Sequence, residues 1–148
     1  MSKGLDVIIV EDDPDACELI SSKIKRFYIW GKVLIFMDAD KAIEYCLSRD
    51  GLAIFVVDVY LGHMTGFDFL KAVAEKFPDV YADAIMITGN ASDEIVARCL
   101  ETGVNHLLEK PIEFHTLQLA LRSLVQKYLK FAKRLFKDPE YGKLIKDQ

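Results

Sequence analysis

Five short runs rich in Val, Ile, Leu and Phe recur along this chain, and a stretch with helical spacing follows each of them. The runs are Leu5–Val10, Val33–Met37, Ala53–Val57, Ala84–Ile87 and His106–Leu108. Continuous apolar runs of this length suit strands buried on both faces. The stretches Pro14–Phe27, Ala39–Ser48, Gly66–Phe77 and Ser92–Glu101, and a long segment from about Glu113, read as helices; in the first, Cys17, Ile20, Ile24 and Phe27 share one face. Asp38 stands where it can cap the second helix, Pro78 stops the third, and Gly103 follows the fourth as a C-terminal cap. Strict alternation of strand and helix predicts right-handed crossovers and a parallel sheet covered on both faces. In such a sheet, function gathers beyond the C-terminal strand ends.

The length of 148 residues suits one domain with a real core. Apolar residues at 51% and charged residues at 28% describe a globular chain and exclude a disordered or fibrous one. No apolar stretch approaches the roughly 18 residues a membrane span needs. The first apolar run is too short and too interrupted by acids for a signal peptide, so the expected location is cytoplasmic, without membrane contact. The three cysteines, Cys17, Cys46 and Cys99, lie far apart in apolar patterns and are expected as buried free thiols. The net charge of −4 hides an asymmetry: residues 1–121 carry 11 basic and 20 acidic side chains, residues 122–148 carry 8 and 3. An acidic globule does not favour nucleic acid or an anionic membrane.

The residues at the strand ends carry the chemistry. Glu11-Asp12-Asp13 follows the first strand, Asp58 ends the third, Thr88-Gly89 ends the fourth and Lys110-Pro111 follows the fifth. Each alone has a bland reading: acids favour a helix N-terminus, a Thr ends many strands, and a Lys before Pro is commonly a surface residue. Together they put carboxylates, a hydroxyl and an ammonium at one edge. Clustered carboxylates repel one another unless a cation relieves them, and hard oxygen ligands suit Mg²⁺ or Mn²⁺. A carboxylate beside such an ion, with an ammonium and a hydroxyl near, fits phosphoryl transfer, with Asp58 as the attacking group. Neither G-x-x-x-x-G-K-[ST] nor G-x-G-x-x-G occurs, so the phosphoryl group must come from another molecule rather than from a nucleotide in a glycine-rich loop.

With these pieces in order, residues 4–125 resemble the receiver domain of bacterial two-component response regulators. The matching segments are Ile8-Ile9-Val10-Glu11-Asp12-Asp13-Pro14, Phe55-Val56-Val57-Asp58-Val59-Tyr60-Leu61 with Gly66 beyond it, Ile85-Met86-Ile87-Thr88-Gly89, and Gly103 followed by Leu108-Glu109-Lys110-Pro111. The resemblance implies an α/β, flavodoxin-like, doubly wound sheet of five parallel strands in the order 2-1-3-4-5, with five helices. It implies a phosphoacceptor at Asp58, and Mg²⁺ (or Mn²⁺) held by Glu11, Asp12, Asp58 and the Tyr60 carbonyl. Thr88 and Lys110 take the phosphate-sensing and phosphate-pairing roles, and Asp13 is not a ligand. The resemblance implies a sensor histidine kinase or a phosphotransfer protein as donor. It also implies a domain that catalyses only its own phosphorylation and dephosphorylation and switches an output partner that the sequence does not identify.

Three positions depart from the family pattern. Gly62 stands where the family has proline, which loosens the loop. Leu107 replaces the Tyr or Phe three residues before the lysine, so an aromatic flip cannot be the readout. Tyr60 and Asn90 occupy the positions at which the family tunes water access to the acyl phosphate, and a bulky Tyr60 is expected to screen it.

The last helix outruns what a receiver needs. Leu117, Leu121, Leu124, Tyr128, Phe131 and Leu135 are spaced 4-3-4-3-4, and Lys127, Lys130, Lys133, Arg134 and Lys137 decorate the extension up to the break at Asp138-Pro139. Two readings stay open: a dimerising helix, or a wide stripe whose first half packs on its own sheet. The expected organisation is a receiver over residues 1–125 and a basic helical extension over residues 126–148 without a separate output domain, so no direct DNA binding is expected. The chain could also be a receiver fragment of a larger regulator or hybrid kinase. A different class, a phosphohydrolase resembling the haloacid dehalogenases, would use a D-x-D motif after the first strand; Asp13-Pro14-Asp15-Ala16-Cys17 has the two acids but not the rest.

Overall fold

In a computed structural model, which describes residues 4–137 and the side chains of residues 4–130, the five apolar runs pair into one parallel sheet. The strands are β1 (Asp6–Val10), β2 (Val33–Phe36), β3 (Ala53–Asp58), β4 (Ala84–Thr88) and β5 (His106–Glu109), in the order β2-β1-β3-β4-β5. The helices are α1 (Pro14–Lys25), α2 (Ala39–Ser48), α3 (Gly66–Val73), α4 (Asp93–Thr102) and α5 (Phe114–Lys137). β1 and β3 are central, and every residue of both is buried. That burial is why their interiors, Val7–Val10 and Ala53–Val57, read as continuous apolar runs rather than as alternation.

Successive side chains of each strand serve opposite faces. Ile8, Val10, Phe55 and Val57 pack under α2, α3 and α4, with Ala42, Cys46, Phe69 and Leu70. Val7, Ile9, Ile54 and Val56 pack under α1 and α5, with Ile20, Ile24, Leu117 and Leu121. Each such fully buried aliphatic side chain contributes about 1.5–3 kcal/mol relative to exposure. All three cysteines are free and buried, as their apolar settings predict. No described helix is long and apolar enough to cross a membrane.

Several boundaries differ from the sequence expectation. α3 ends at Val73 rather than Phe77, because the chain tightens there: the Ala74 and Lys76 amides donate to carbonyls three residues back, at 3.3 and 3.1 Å. Phe77 then turns edge-on to Phe55, ring centres 5.3 Å apart. α1 ends at Lys25 rather than Phe27, and Phe27 and Trp30 pack half-buried against the α1–α5 side of the core. Tyr28 takes the buried place between them, its hydroxyl donating to the Leu5 carbonyl. β3, β4 and β5 each run one residue further than expected, so Asp58, Thr88 and Glu109 are held by strand backbone.

α5 runs unbroken past residue 125. The first half of its 4-3 stripe, Leu117, Leu121 and Leu124, is buried against the sheet. The side chains of Phe131, Lys133, Arg134, Leu135 and Lys137, and the break expected at Asp138-Pro139, lie outside the described residues.

Candidate functional site

Three strands deliver three ionisable side chains to one point. Glu11 is the first residue beyond β1, where its amide still donates to the Phe36 carbonyl at 3.0 Å; Asp58 is the last residue of β3; Lys110 is the first beyond β5. The Lys110 ammonium lies 2.6 Å from Asp58 Oδ2 and 3.2 Å from Glu11 Oε1. The second Asp58 oxygen, Oδ1, accepts the Tyr60 amide at 2.8 Å. Glu11 is 1% exposed and Asp58 5%, so both carboxyls are removed from water at the rim of the sheet.

Burial next to another carboxylate is costly, and the two acids divide the cost unequally. Burial above all, and then the neighbouring Asp58, push the Glu11 carboxyl up to about 8 against a partial offset from Lys110. At neutral pH Glu11 therefore mostly keeps its proton. Burial pushes Asp58 upward too, but the protonated Glu11, the Lys110 ammonium and the Tyr60 amide together outweigh it and hold Asp58 below the ordinary carboxylate range. Burial draws the Lys110 ammonium down, and its contacts with Asp58 first and then with Glu11 more than restore it, so it stays charged. The arrangement keeps one carboxylate ionised, buried and paired with a cation.

The neighbouring residues are placed less uniformly. Asp12 is exposed, beside the turn at Gly62: a Cβ on that glycine would stand 3.7 Å from Asp12 Oδ2. Gly62 has φ of +78°, a conformation closed to proline, which accounts for the departure from the family pattern at this position. Asp13 is exposed and caps α1, accepting the Asp15 amide at 3.1 Å, which is the bland role foreseen for it and not that of a buried nucleophile. Gly66 is required by close approach: a Cβ there would lie 2.4 Å from the Asp58 carbonyl oxygen. Thr65 and Asp68 start α3 with a reciprocal capping box.

The Thr88 hydroxyl is engaged by Asn90. Thr88 is fully buried, and its hydroxyl donates to the Asn90 carbonyl at 3.1 Å while accepting the Asn90 amide at 3.3 Å. Tyr60 is 61% exposed, and its ring borders a pocket of about 190 Å³ shared with Thr65, Glu94 and Arg98. Leu107 pairs with Met86 across the sheet and packs half-buried against the α2–α4 side of the core. One participant was not foreseen: Glu109 reaches from β5 to accept the Ala91 amide at 2.7 Å. An exposed glutamate at a strand end carries no sequence signal for such a contact.

The oxygens here suit a hard divalent ion. Glu11 Oε2 is buried without a hydrogen-bond partner, a costly arrangement that a cation would relieve. The antiparallel bridge between Tyr60 and Thr65 is made by the Val59 carbonyl and the Leu61 amide, so neither of its bonds uses the Tyr60 carbonyl. Among the described residues, no three His, Cys, Asp or Glu side chains gather tightly enough to hold a metal by themselves.

Comparison with known proteins agrees with the fold. The chain is 29% identical over 121 residues to the heme response regulator HssR of Staphylococcus saprophyticus, covering 82% of this chain and 51% of that protein. It is 32% identical over 126 residues to a 14.6 kDa protein of Leptolyngbya boryana, covering 84% and 89%. It spans about half the length of the first curated relatives it matches, 51% of HssR and 58% of the transcriptional regulatory protein CitT of Halalkalibacterium halodurans. Among solved structures it superposes on a CheY-like receiver domain protein from Methanospirillum hungatei with a TM-score of 0.73, at 21% identity, covering 86% of this chain and 98% of that one. The chemotaxis protein CheY4 of Vibrio cholerae matches with a TM-score of 0.70 at 24% identity, covering 82% and 98%. Residues 7–122 match the response regulator receiver domain, and the chain therefore belongs to that family of two-component signalling modules.

Proposed function

We propose that this receiver is a phosphorylation switch with Asp58 as its phosphoacceptor. The observation that carries the reading is the Lys110 ammonium 2.6 Å from an Asp58 carboxylate that is buried yet held ionised. An ionised carboxylate attacks phosphorus without a general base. With a phosphohistidine on a sensor kinase or a phosphotransfer protein as donor, a new P–O bond forms at Asp58. The P–N bond breaks, and its electron pair leaves with the imidazole. Lys110 is already protonated and is placed to pair with the phosphoryl oxygens as charge accumulates on them. Thr88 would add a hydrogen bond after its hydroxyl leaves Asn90. Glu11, Asp12, Asp58 and the Tyr60 carbonyl would hold Mg²⁺, which when bound supplies positive charge to the transferring phosphoryl group.

The activity is confined to this domain's own phosphorylation and dephosphorylation, and its product is a changed surface offered to an output partner. We place it in the cytoplasm with its phosphodonor. Acidic side chains dominate residues 1–121, which supports a protein partner over DNA. A second copy of the chain suits the 4-3 stripe of α5 only beyond Tyr128, since Leu117, Leu121 and Leu124 are already buried. Gel filtration before and after phosphorylation tests this: a shift to a dimer is expected, and truncation after Lys130 should abolish it.

The switch itself is tested by incubation with acetyl phosphate and Mg²⁺ followed by intact-mass analysis. The wild type should gain one phosphoryl group. EDTA should prevent the gain, and Asp58→Ala should remain unmodified.

A further inference from the structure

The loop between β4 and α4 is held by side-chain hydrogen bonds rather than by packing. Gly89, at its start, has open space where a Cβ would point. The next residue, Asn90, is held at both its amide and its carbonyl by the Thr88 hydroxyl, at 3.3 and 3.1 Å. The residue after that, Ala91, gives its amide to Glu109 Oε2 at 2.7 Å. Ser92 then caps α4 by accepting the Ile95 amide at 3.3 Å. A hydroxyl has one proton to donate, and here the Thr88 proton is committed to the Asn90 carbonyl. It cannot at the same time serve a phosphoryl group on Asp58.

We propose that Glu109 is a latch: by holding the Ala91 amide it keeps the β4–α4 loop closed on the Thr88 hydroxyl, and the loop must be released before Thr88 can engage phosphorylated Asp58. Glu109 is a positioning residue, since its side chain bonds the Ala91 amide and not a reacting group. Its backbone is fixed independently of the latch, through the pairing of Glu109 with Thr88 in the sheet and the Lys110 amide donating to the Thr88 carbonyl at 2.8 Å. Only the side chain therefore has to let go. Because Glu109 sits next to Lys110 in the chain, the same short segment carries the phosphate-pairing cation and the restraint on the hydroxyl. This inference rests on the phosphoacceptor reading above and adds the regulation of that site. A bond made only in the unphosphorylated arrangement shifts the equilibrium away from the phosphorylated one, and removing it favours the latter.

Two substitutions separate the latch from a simple charge effect. Glu109→Ala removes both the acceptor and the charge, whereas Glu109→Gln removes the charge and keeps an acceptor for Ala91. Phosphorylation by phosphoramidate with Mg²⁺ should run faster in Glu109→Ala by about three- to tenfold, the range open to one solvent-exposed hydrogen bond, and close to the wild-type rate in Glu109→Gln. Hydrogen exchange at the Ala91 amide, followed by NMR without any phosphodonor, should speed up in Glu109→Ala and be restored in Glu109→Gln. A wild type that is phosphorylated at Asp58 alongside a Glu109→Ala rate within twofold of it would overturn the latch. Equal acceleration in both variants would do the same, because charge alone would then explain it. If the wild type takes up no phosphoryl group, the phosphoacceptor reading fails instead, and unchanged Ala91 exchange in Glu109→Ala still rejects the latch on its own.

Discussion

At the scale of single residues, the site depends on an unequal sharing of protons between two buried acids. Glu11 is raised to about 8 from an ordinary 4.5, chiefly by burial, so between these values the folded chain binds more protons than the unfolded one. The stability contributed by protonated Glu11 is thus complete below 4.5 and is lost as the pH climbs through about 8. Asp58 is displaced the other way: its contribution is present above its ordinary 3.8 and is lost as the pH falls below that. Without Mg²⁺, the melting temperature should fall between roughly pH 5 and pH 8.5, by about 2–4 °C for each kcal/mol lost. Glu11→Gln, which cannot ionise, should flatten that slope, and thermal melts across the range measure it. A wild-type slope no steeper than that of Glu11→Gln would mean that Glu11 does not hold its proton. Adding Mg²⁺ should flatten the slope in the wild type as well, because a metal ligand must be deprotonated and the bound ion then favours the charged form.

At the scale of elements, the two ends of the sheet are secured differently. The C-terminal end carries the site, and the turn before α3 is drawn tight against it by Gly66. The N-terminal end is tied to α5. There Asp83, just before β4 and 4% exposed, accepts Lys127 at 2.7 Å and the Tyr128 hydroxyl. Burial first, and then Asp83, raise the Tyr128 phenol, so it remains a donor throughout the physiological range. Asp83→Ala would strand a half-buried phenol and release the start of the helical extension. A loss of about 1–3 kcal/mol is expected in urea unfolding, with Asp83→Asn losing less because it still accepts from Tyr128. Equal losses in the two variants would count against this tie. Contacts of this kind are illegible in the sequence: Asp83 and Lys127 lie 44 residues apart, and neither sits in a motif. The stripe of α5 was legible as apolar but not as to its partner, since 4-3 spacing serves a sheet face as well as a second helix.

At the scale of the whole molecule, alternation of strand-like and helical runs was enough to read a covered parallel sheet, because β1 and β3 are buried on both faces and are apolar except at Asp6 and Asp58, at their ends. The strand-end residues were legible for the same reason, as Glu11 and Asp58 interrupt or end apolar runs where charge is costly. Lys110 was legible only in combination with them. The orientation of the Thr88 hydroxyl toward Asn90 was not legible, because a rotamer leaves no trace in composition or spacing. Neither was the Glu109 contact with Ala91, which depends on how the four-residue loop Gly89–Ser92 closes. What unites these observations is a single claim: Asp58 is the carboxylate that receives the phosphoryl group. The most direct test is to phosphorylate the protein with phosphoramidate and Mg²⁺, reduce the acyl phosphate with borohydride, and locate the resulting homoserine by peptide mass spectrometry. Homoserine at position 58 is the predicted result; homoserine at position 12 or 13 instead, or none anywhere in a protein that has gained a phosphoryl group, would contradict it.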